Sequence, residues 1–189
     1  MKKLLLLIVI LPCVSACVPV AVVAGAAAGG AVVYNNRSME TMLHDRNITY
    51  KAQLKINTDP QLKNKTHISV ATLNGTVLLV GQAPTEKLRA RALNLVKTVA
   101  GIKRIYNQIT IEAPTSALTR SSDSWITTKV KTAMLAERGL KSTQIKVVTE
   151  NGTVYLMGLI TPNQGNLAAK AARRVDGVQR VIKVFEYLR

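Results

Sequence analysis

The chain has 189 residues, with 26 lysines and arginines against 10 aspartates and glutamates and a formal net charge of +16 at pH 7. A chain of this length forms one domain or two small ones, and a charge of this size attracts anionic surfaces. Nucleic acid is the usual partner of so basic a chain, whereas an exported protein rarely meets nucleic acid and would meet anionic phospholipid instead. A solvated basic surface with no partner is the alternative.

The N-terminus has the parts of a bacterial export signal. Two lysines follow the initial methionine, residues 4–12 are almost wholly apolar, and small residues precede Cys17. This order is typical of a signal peptide, and the position of the cysteine resembles a lipoprotein signal. We therefore expect residues 1–16 to be removed and Cys17 to carry the lipid. An ordinary secretory signal or the start of a membrane helix are the alternatives, although residues 4–12 are too few to span a bilayer.

Lipidation of Cys17 predicts the membrane in which the protein resides and the absence of disulfide bonds. Val18 follows the cysteine. In enterobacterial lipoproteins, an aspartate at this position resembles a signal for retention in the inner membrane. Because valine stands here instead, we expect the protein in the outer membrane. Several acyl chains such as palmitate hold a protein durably on a bilayer. Cys13 leaves with the signal and Cys17 is acylated, so we expect no disulfide in the mature chain. Residues 17–44 then form a lipidated tether.

The remainder of the chain repeats itself. The sequence Asn-Gly-Thr-Val occurs at 74–77 and again at 151–154, an offset of 77 residues. Asp45 and Ile48 return as Asp123 and Ile126, and Gly81 returns as Gly158. Small drifts in offset with the order kept indicate two homologous domains, at 45–113 and 121–189, whereas a short-period solenoid would need more copies.

Each copy predicts the order α-β-β-α-β. Asn-Gly marks a tight hairpin between the first two strands, because glycine tolerates positive φ and asparagine comes close to it. We expect an α+β fold of two tandem domains, each a small mixed sheet with two helices on one face. The linker between the domains is expected at 114–122. The predicted elements are helices at 45–56 and 124–137, strands at 67–73 and 144–149, strands at 76–80 and 153–157, helices at 85–99 and 164–175, and strands at 103–111 and 179–187.

Three stretches carry a family resemblance: 77–82, 149–152 and 123–131. Together with the two Asn-Gly hairpins and the lipoprotein-like signal, they make the chain similar to the dual BON-domain outer-membrane lipoproteins. The resemblance implies a periplasm-facing protein that binds anionic phospholipid, such as phosphatidylglycerol or cardiolipin, through its second domain. It further implies enrichment at cell-division sites and support of cell-envelope integrity. An envelope-assembly protein is a further candidate partner.

The first helix of the second domain has an unusual outer side. At about 100° per residue, Ile126, Val130, Ala133 and Met134 share the core side. The opposite side holds residues suited to a membrane interface, where indole lies at headgroup level and lysine meets phosphate. The alternative is that the tryptophan is buried against the core or the other domain. The predicted phospholipid-binding residues are Trp125, Thr128, Lys129, Lys131 and Leu135.

The first domain serves as an internal comparison. Asn47 stands where Trp125 does, and the helix from residue 47 to 56 contains no tryptophan. We therefore expect this helix to lack an apolar anchor, to bind lipid poorly, and to serve as a scaffold or a partner surface.

No catalytic or metal-binding arrangement stands out. His44 and His67 are isolated, carboxylates are few and scattered, and neither a clustered Cys/His motif nor a phosphate-binding loop occurs. We expect a protein that is not an enzyme, with no metal and no cofactor. The alternative functions are a basic adaptor for an envelope protein or a peptidoglycan-associated partner, and a passive structural protein of the osmotic-stress type.

Overall fold

The structure is a computed structural model, and it describes residues 38–188. The expectations for the signal peptide, for Cys17 and for the tether as far as residue 37 lie outside the described residues. Between 38 and 188 no helix is both long enough and apolar enough to cross a membrane. The elements are α1 (Met39–Thr58), β1 (His67–Leu73), β2 (Thr76–Ala83), α2 (Glu86–Lys97), β3 (Arg104–Ile111), α3 (Ala117–Ala136), a 3-10 helix (Ser142–Gln144), β4 (Ile145–Glu150), β5 (Thr153–Ile160), α4 (Pro162–Arg173) and β6 (Arg180–Tyr187).

The two domains have the same sheet topology. In each three-stranded sheet the first strand is antiparallel to the second, and the second is parallel to the third. The second strand is therefore central in each sheet, with the orders β1-β2-β3 and β4-β5-β6. This confirms the expected α+β fold of two α-β-β-α-β units with mixed sheets.

The two Asn-Gly turns form because both of their central residues adopt positive φ. In the first domain φ is 52° for Asn74 and 78° for Gly75. In the second domain it is 46° for Asn151 and 70° for Gly152. Such angles are those of the tight hairpin turn that suits the twist of the strands. A buried aspartate from the preceding helix holds each turn. The carboxylate of Asp123 accepts hydrogen bonds from the Asn151 and Gly152 N–H groups at 2.8 and 2.9 Å.

The same clamp occurs in the first domain. The Asp45 carboxylate accepts from the N–H groups of Asn74 and Gly75 at 2.7 and 2.9 Å. The repeated aspartates noted in the sequence thus fasten α1 and α3 to their own hairpins, and they fix the position of each helix over its sheet.

The central strands bury both of their faces. In β2, Val77 and Leu79 face the helices of the first domain, whereas Leu78 and Val80 face the second domain. Alternate side chains of a strand point to opposite faces, so β2 needs cover on both sides. The interdomain core between the sheets contains Ala71, Leu73, Leu78, Val80, Tyr155, Met157 and Val184.

The two sheets therefore pack against each other through the faces that carry no helix. This arrangement gives four layers, with α1 and α2 on one outer side and α3 and α4 on the other. Polar contacts flank the interdomain core: the Gln82 amide donates to the Glu150 carboxylate at 2.8 Å, and the Thr76 hydroxyl donates to Glu186. All described residues belong to one compact unit.

Helices α1 and α3 begin earlier than the sequence predicts. Helix α3 starts at Ala117 rather than at 124, so most of the expected linker at 114–122 is helical. Ser116 caps this helix by accepting a hydrogen bond from the Thr119 N–H at 3.2 Å. Helix α1 starts at Met39 behind a Ser38 cap, inside the expected tether. Serine and threonine favour caps and loops, so the 116–124 stretch resembles a linker in sequence.

Candidate functional site

Helix α3 carries apolar side chains on both of its sides. Ile126, Val130 and Met134 are buried against the sheet, as predicted. On the opposite side, Trp125 is 64% exposed and Leu135 is 69% exposed. Trp125 is therefore not buried against the core or the other domain, and that alternative is wrong.

A third exposed apolar side chain, Leu118, extends this surface. It is 81% exposed and precedes Trp125 by seven residues, which places the two about 20° apart around the helix. The sequence interpretation missed Leu118 because it began the helix at residue 124. Its spacing of seven from Trp125 is the signal that would have revealed it. We call Leu118, Trp125, Thr128, Lys131 and Leu135 the outer face of α3.

The polar residues predicted for this site differ in how free they are. The Lys129 ammonium donates to the Asp176 carbonyl at 2.6 Å, so it braces the turn after α4. The Thr128 hydroxyl donates to the Ser124 carbonyl at 3.1 Å, which leaves it able only to accept. Lys131, by contrast, is exposed, and its ammonium has no hydrogen bond or ion pair within residues 38–188. Of the two lysines predicted for the site, Lys131 is therefore the one whose ammonium is free to contact an anion.

Helix α4 adds positive charge beside α3. Lys170, Arg173 and Arg174 are exposed, and Arg174 approaches Glu137 at 3.8 Å. Exposed cations near one another raise the local concentration of anionic partners, an effect that salt screens.

A groove opens between the C-terminal half of α3 and the edge strand β4. It has a volume of about 220 Å³ and is lined by Lys131, Met134, Leu135, Ser142, Thr143, Ile145 and Val147. Two of these residues, Lys131 and Leu135, also belong to the outer face of α3. The sequence interpretation could not reveal the groove, because its walls come from a helix and a strand brought together by the fold.

The first domain also exposes apolar side chains. Along α1, Met39, Leu43, Tyr50 and Leu54 are 70%, 59%, 66% and 46% exposed. Their spacing places them on one side of the helix. The expectation that this helix lacks an apolar group suited to anchoring is thus wrong, because such groups are exposed at positions other than Asn47. Weak lipid binding by the first domain stays a prediction.

Net charge does not distinguish the two domains. Residues 45–113 contain eleven basic and four acidic side chains, and residues 121–189 contain eleven basic and five acidic ones. A preference of an anionic surface for one domain must therefore depend on the arrangement of exposed apolar groups and unpaired cations.

The buried carboxylates have structural partners. Asp59 receives two hydrogen bonds from the Arg91 guanidinium at 2.8 and 2.7 Å, and the pKa of Asp59 is lowered chiefly by this contact. Burial raises the pKa of Glu150 against the opposing effect of the Gln82 amide. Over the described part of the chain, no cluster of three or more His, Cys, Asp or Glu residues is arranged to hold a metal ion.

Comparison with known proteins assigns the family. The BON domain family model matches residues 44–113 and 122–189. The chain belongs to the BON domain family. It contains two such domains in tandem, and this organisation agrees with the two α-β-β-α-β units of the fold.

Several known proteins resemble all or most of the chain. Outer membrane lipoprotein DolP of Haemophilus influenzae is 37% identical over 188 residues, which cover 100% of this chain and 97% of that protein. The 21 kDa hemolysin of Actinobacillus pleuropneumoniae is 41% identical over 80% of this chain and 78% of its own length. Osmotically-inducible protein Y of Escherichia coli K12 is 27% identical over 74% of this chain and 70% of that protein. The chain is thus a DolP-like dual BON protein, and this similarity supports the class of outer-membrane lipoproteins.

Proposed function

We propose that this protein is a lipid-anchored outer-membrane protein, facing the periplasm, whose second BON domain binds anionic phospholipid through the outer face of α3. The observation that supports this most directly is that Leu118, Trp125 and Leu135 are 64–81% exposed on a helix that also carries Lys131, whose ammonium has no partner within residues 38–188. A monomeric protein exposes large apolar groups together on one surface at a cost, so such a group indicates a contact.

The chemistry of the outer face suits a membrane interface. An indole lies favourably at the headgroup level, and the leucines on either side enter the first part of the acyl region. Each lysine or arginine near an anionic leaflet contributes about 1 kcal/mol. No membrane-spanning element is required, because an amphipathic helix can lie in the plane of the interface.

The lipid on Cys17 and the contact through α3 have different roles in this proposal. The acyl chains keep the protein in the outer membrane, and the weaker contact through α3 selects where in that membrane it resides. Selection for phosphatidylglycerol or cardiolipin would concentrate the protein at division sites and support envelope integrity there. No catalytic step is required.

The test is vesicle binding by residues 37–189, which contain both domain cores and the interdomain core. Vesicles of phosphatidylcholine, phosphatidylglycerol and cardiolipin are compared by co-sedimentation. Trp125→Glu is expected to weaken binding to the anionic vesicles at least about tenfold, because it removes a large apolar group and adds a negative charge.

The matched control is Tyr50→Glu, which changes an aromatic residue of similar exposure (66%) on α1 and the net charge by the same amount. We expect Tyr50→Glu to retain binding. Equal losses in the two variants, or no loss in either, would reduce the effect to general charge attraction and contradict a site on α3.

A second candidate function is supported by the exposed side chains of α1. Met39, Leu43, Tyr50 and Leu54 form a surface suited to a protein partner, such as an envelope-assembly or peptidoglycan-associated protein. In that case Tyr50→Glu abolishes capture of the partner from envelope extracts, and Trp125→Glu does not.

A further inference from the structure

The two domains differ at one position where the first helix meets the edge strand of its sheet. Gln53 of α1 corresponds to Lys131 of α3 at the repeat offset of 78 residues. In the first domain, the Gln53 amide donates to the Ile68 carbonyl at 2.9 Å, and its oxygen accepts from the Val70 N–H at 3.0 Å. Gln53 thereby joins α1 to the outer edge of β1 through two hydrogen bonds.

The second domain has the same strand register but lacks the glutamine bridge between its first helix and its edge strand. Ile68 and Val70 oppose Gly81 and Leu79, and in the second domain Ile145 and Val147 oppose Gly158 and Leu156. The equivalent backbone groups of β4 therefore also point outward, towards α3.

Lysine at this position cannot replace the glutamine bridge. An ammonium donates hydrogen bonds but accepts none, so Lys131 cannot receive the Val147 N–H. Among residues 38–188, no side chain bonds the outward backbone groups of Ile145 and Val147. The groove of about 220 Å³ lies at this place.

The groove combines two kinds of surface. Its floor and wall are apolar, from Met134, Leu135 and the side chains of Ile145 and Val147. The residues that line it also carry hydrogen-bond donors, namely the Lys131 ammonium, the Val147 N–H and the hydroxyls of Ser142 and Thr143. Clustered donors beside a hydrocarbon surface are suited to an anionic oxygen attached to an apolar chain.

We propose that this groove binds a single anionic phospholipid molecule, with its phosphate held by Lys131 and the Val147 N–H and the start of one acyl chain lying on Met134 and Leu135. The inference rests on the proposed function, because Lys131 and Leu135 belong both to the groove and to the outer face of α3. Charge complementarity and this continuity select a lipid over other occupants. Since an apolar cavity of about 150 Å³ holds a benzene ring, the groove holds roughly six to eight methylene groups.

The experiment uses monomeric lipid, which separates the groove from vesicle binding. Dihexanoyl-phosphatidylglycerol, kept below its micelle-forming concentration, is titrated into ¹⁵N-labelled residues 37–189, and amide shifts are followed by NMR. We expect saturable shifts at Ile145 and Val147, and affinity that rises roughly fourfold for each methylene added per chain until the groove is full. Equal shifts with inorganic phosphate alone would overturn the lipid assignment, and shifts caused by protein concentration alone would assign the groove to a second copy of the chain.

The decisive variant is Lys131→Gln, which gives the second domain the residue that bridges the helix and the edge strand in the first. We expect it to abolish monomeric lipid binding while the melting temperature is kept or raised. Lys170→Gln removes the same charge from exposed α4 and is expected to retain binding. The reciprocal Gln53→Lys should open the first domain and produce new shifts at Ile68 and Val70. Retained binding in Lys131→Gln would overturn the proposal.

Failure of this inference is distinguishable from failure of the proposed function. Trp125→Glu lies outside the groove, so it is expected to lose vesicle binding and to keep monomeric lipid binding. If the unmodified protein binds anionic vesicles but shows no saturable response to monomeric lipid, the groove assignment fails and the outer face of α3 stands.

Discussion

The substitution Asp123→Asn tests how α3 is held in place over the second sheet. The Asp123 side chain is 6% exposed, and its two oxygens accept from the Asn151 and Gly152 N–H groups at 2.8 and 2.9 Å. An asparagine has one acceptor oxygen, so in either orientation its NH₂ group faces one of these donors. One charge-assisted hydrogen bond is lost, a second is weakened, and a buried N–H is left unsatisfied.

The magnitude follows from these contacts. Hydrogen bonds to charged groups contribute about 1.5–3 kcal/mol each, and an unsatisfied buried donor costs about 1–3 kcal/mol. Since the asparagine keeps one of the two bonds, we expect a net loss of about 3 kcal/mol in the free energy of unfolding. For a protein of this size, such a loss lowers the melting temperature by roughly 6–12 °C.

The assay is thermal unfolding of residues 37–189 followed by circular dichroism. Asp176→Asn is the control, because Asp176 is exposed and lies in the same domain; a surface substitution of this kind changes stability by less than about 0.5 kcal/mol. A melting temperature for Asp123→Asn that equals the control would refute the idea that the aspartate clamp positions α3.

Two further predictions concern buried polar contacts. Gln53→Ala should lower the free energy of unfolding by about 1–3 kcal/mol, because it removes both hydrogen bonds to the edge of β1. Urea denaturation measures this, and Gln61→Ala is the control, because the Gln61 side chain is exposed and makes no hydrogen bond within residues 38–188. Burial raises the pKa of Glu150, so the folded state keeps a proton on this carboxyl group that the unfolded state has already released. The stability of the unmodified protein therefore falls as the pH rises from the ordinary glutamate pKa through the pKa of Glu150 in the folded state. Glu150→Gln should therefore gain stability relative to the unmodified protein as the pH rises above the ordinary glutamate pKa, measured by melting temperature; a difference that stays constant as the pH rises would contradict the assignment.

Much of each domain could be predicted from the sequence because its signals are local. The Asn-Gly pairs predict the hairpins, and the repeated Asp45 and Asp123 mark the two copies. The site was partly predictable, because the helical spacing of Trp125 and Leu135 depends only on geometry within one helix. Leu118 was missed because the serine- and threonine-rich stretch around it resembles a linker.

Features that depend on contacts between elements could not be predicted in the same way. The difference between Gln53 and Lys131 is visible in the sequence, but its consequence depends on the register of the edge strand. The packing of the two sheets has a weak sequence signal: Val77 to Val80 is apolar at every position, and a strand with an apolar run needs cover on both faces. That run is compatible with several partners, so it does not identify the second domain as the cover.

The four-layer arrangement has a consequence for how the protein contacts a membrane. Because the sheets pack on each other and the helices lie outside them, the outer faces of α1 and α3 point away from each other. A flat bilayer that contacts the outer face of α3 therefore leaves the exposed residues of α1 accessible to a second partner. Lipid binding and protein binding would then be compatible in one molecule.

This predicts a difference in protection that single cysteines can measure. Residues 37–189 contain no cysteine, so Leu118→Cys and Leu43→Cys each introduce one thiol, at positions that are 81% and 59% exposed. With phosphatidylglycerol vesicles, a water-soluble maleimide should label Leu118→Cys at least about tenfold more slowly, whereas Leu43→Cys should keep its rate, because only α3 enters the interface. Phosphatidylcholine vesicles should protect neither thiol. Equal protection of both thiols by anionic vesicles would mean that the membrane reaches both outer layers, which this packing of the domains does not allow.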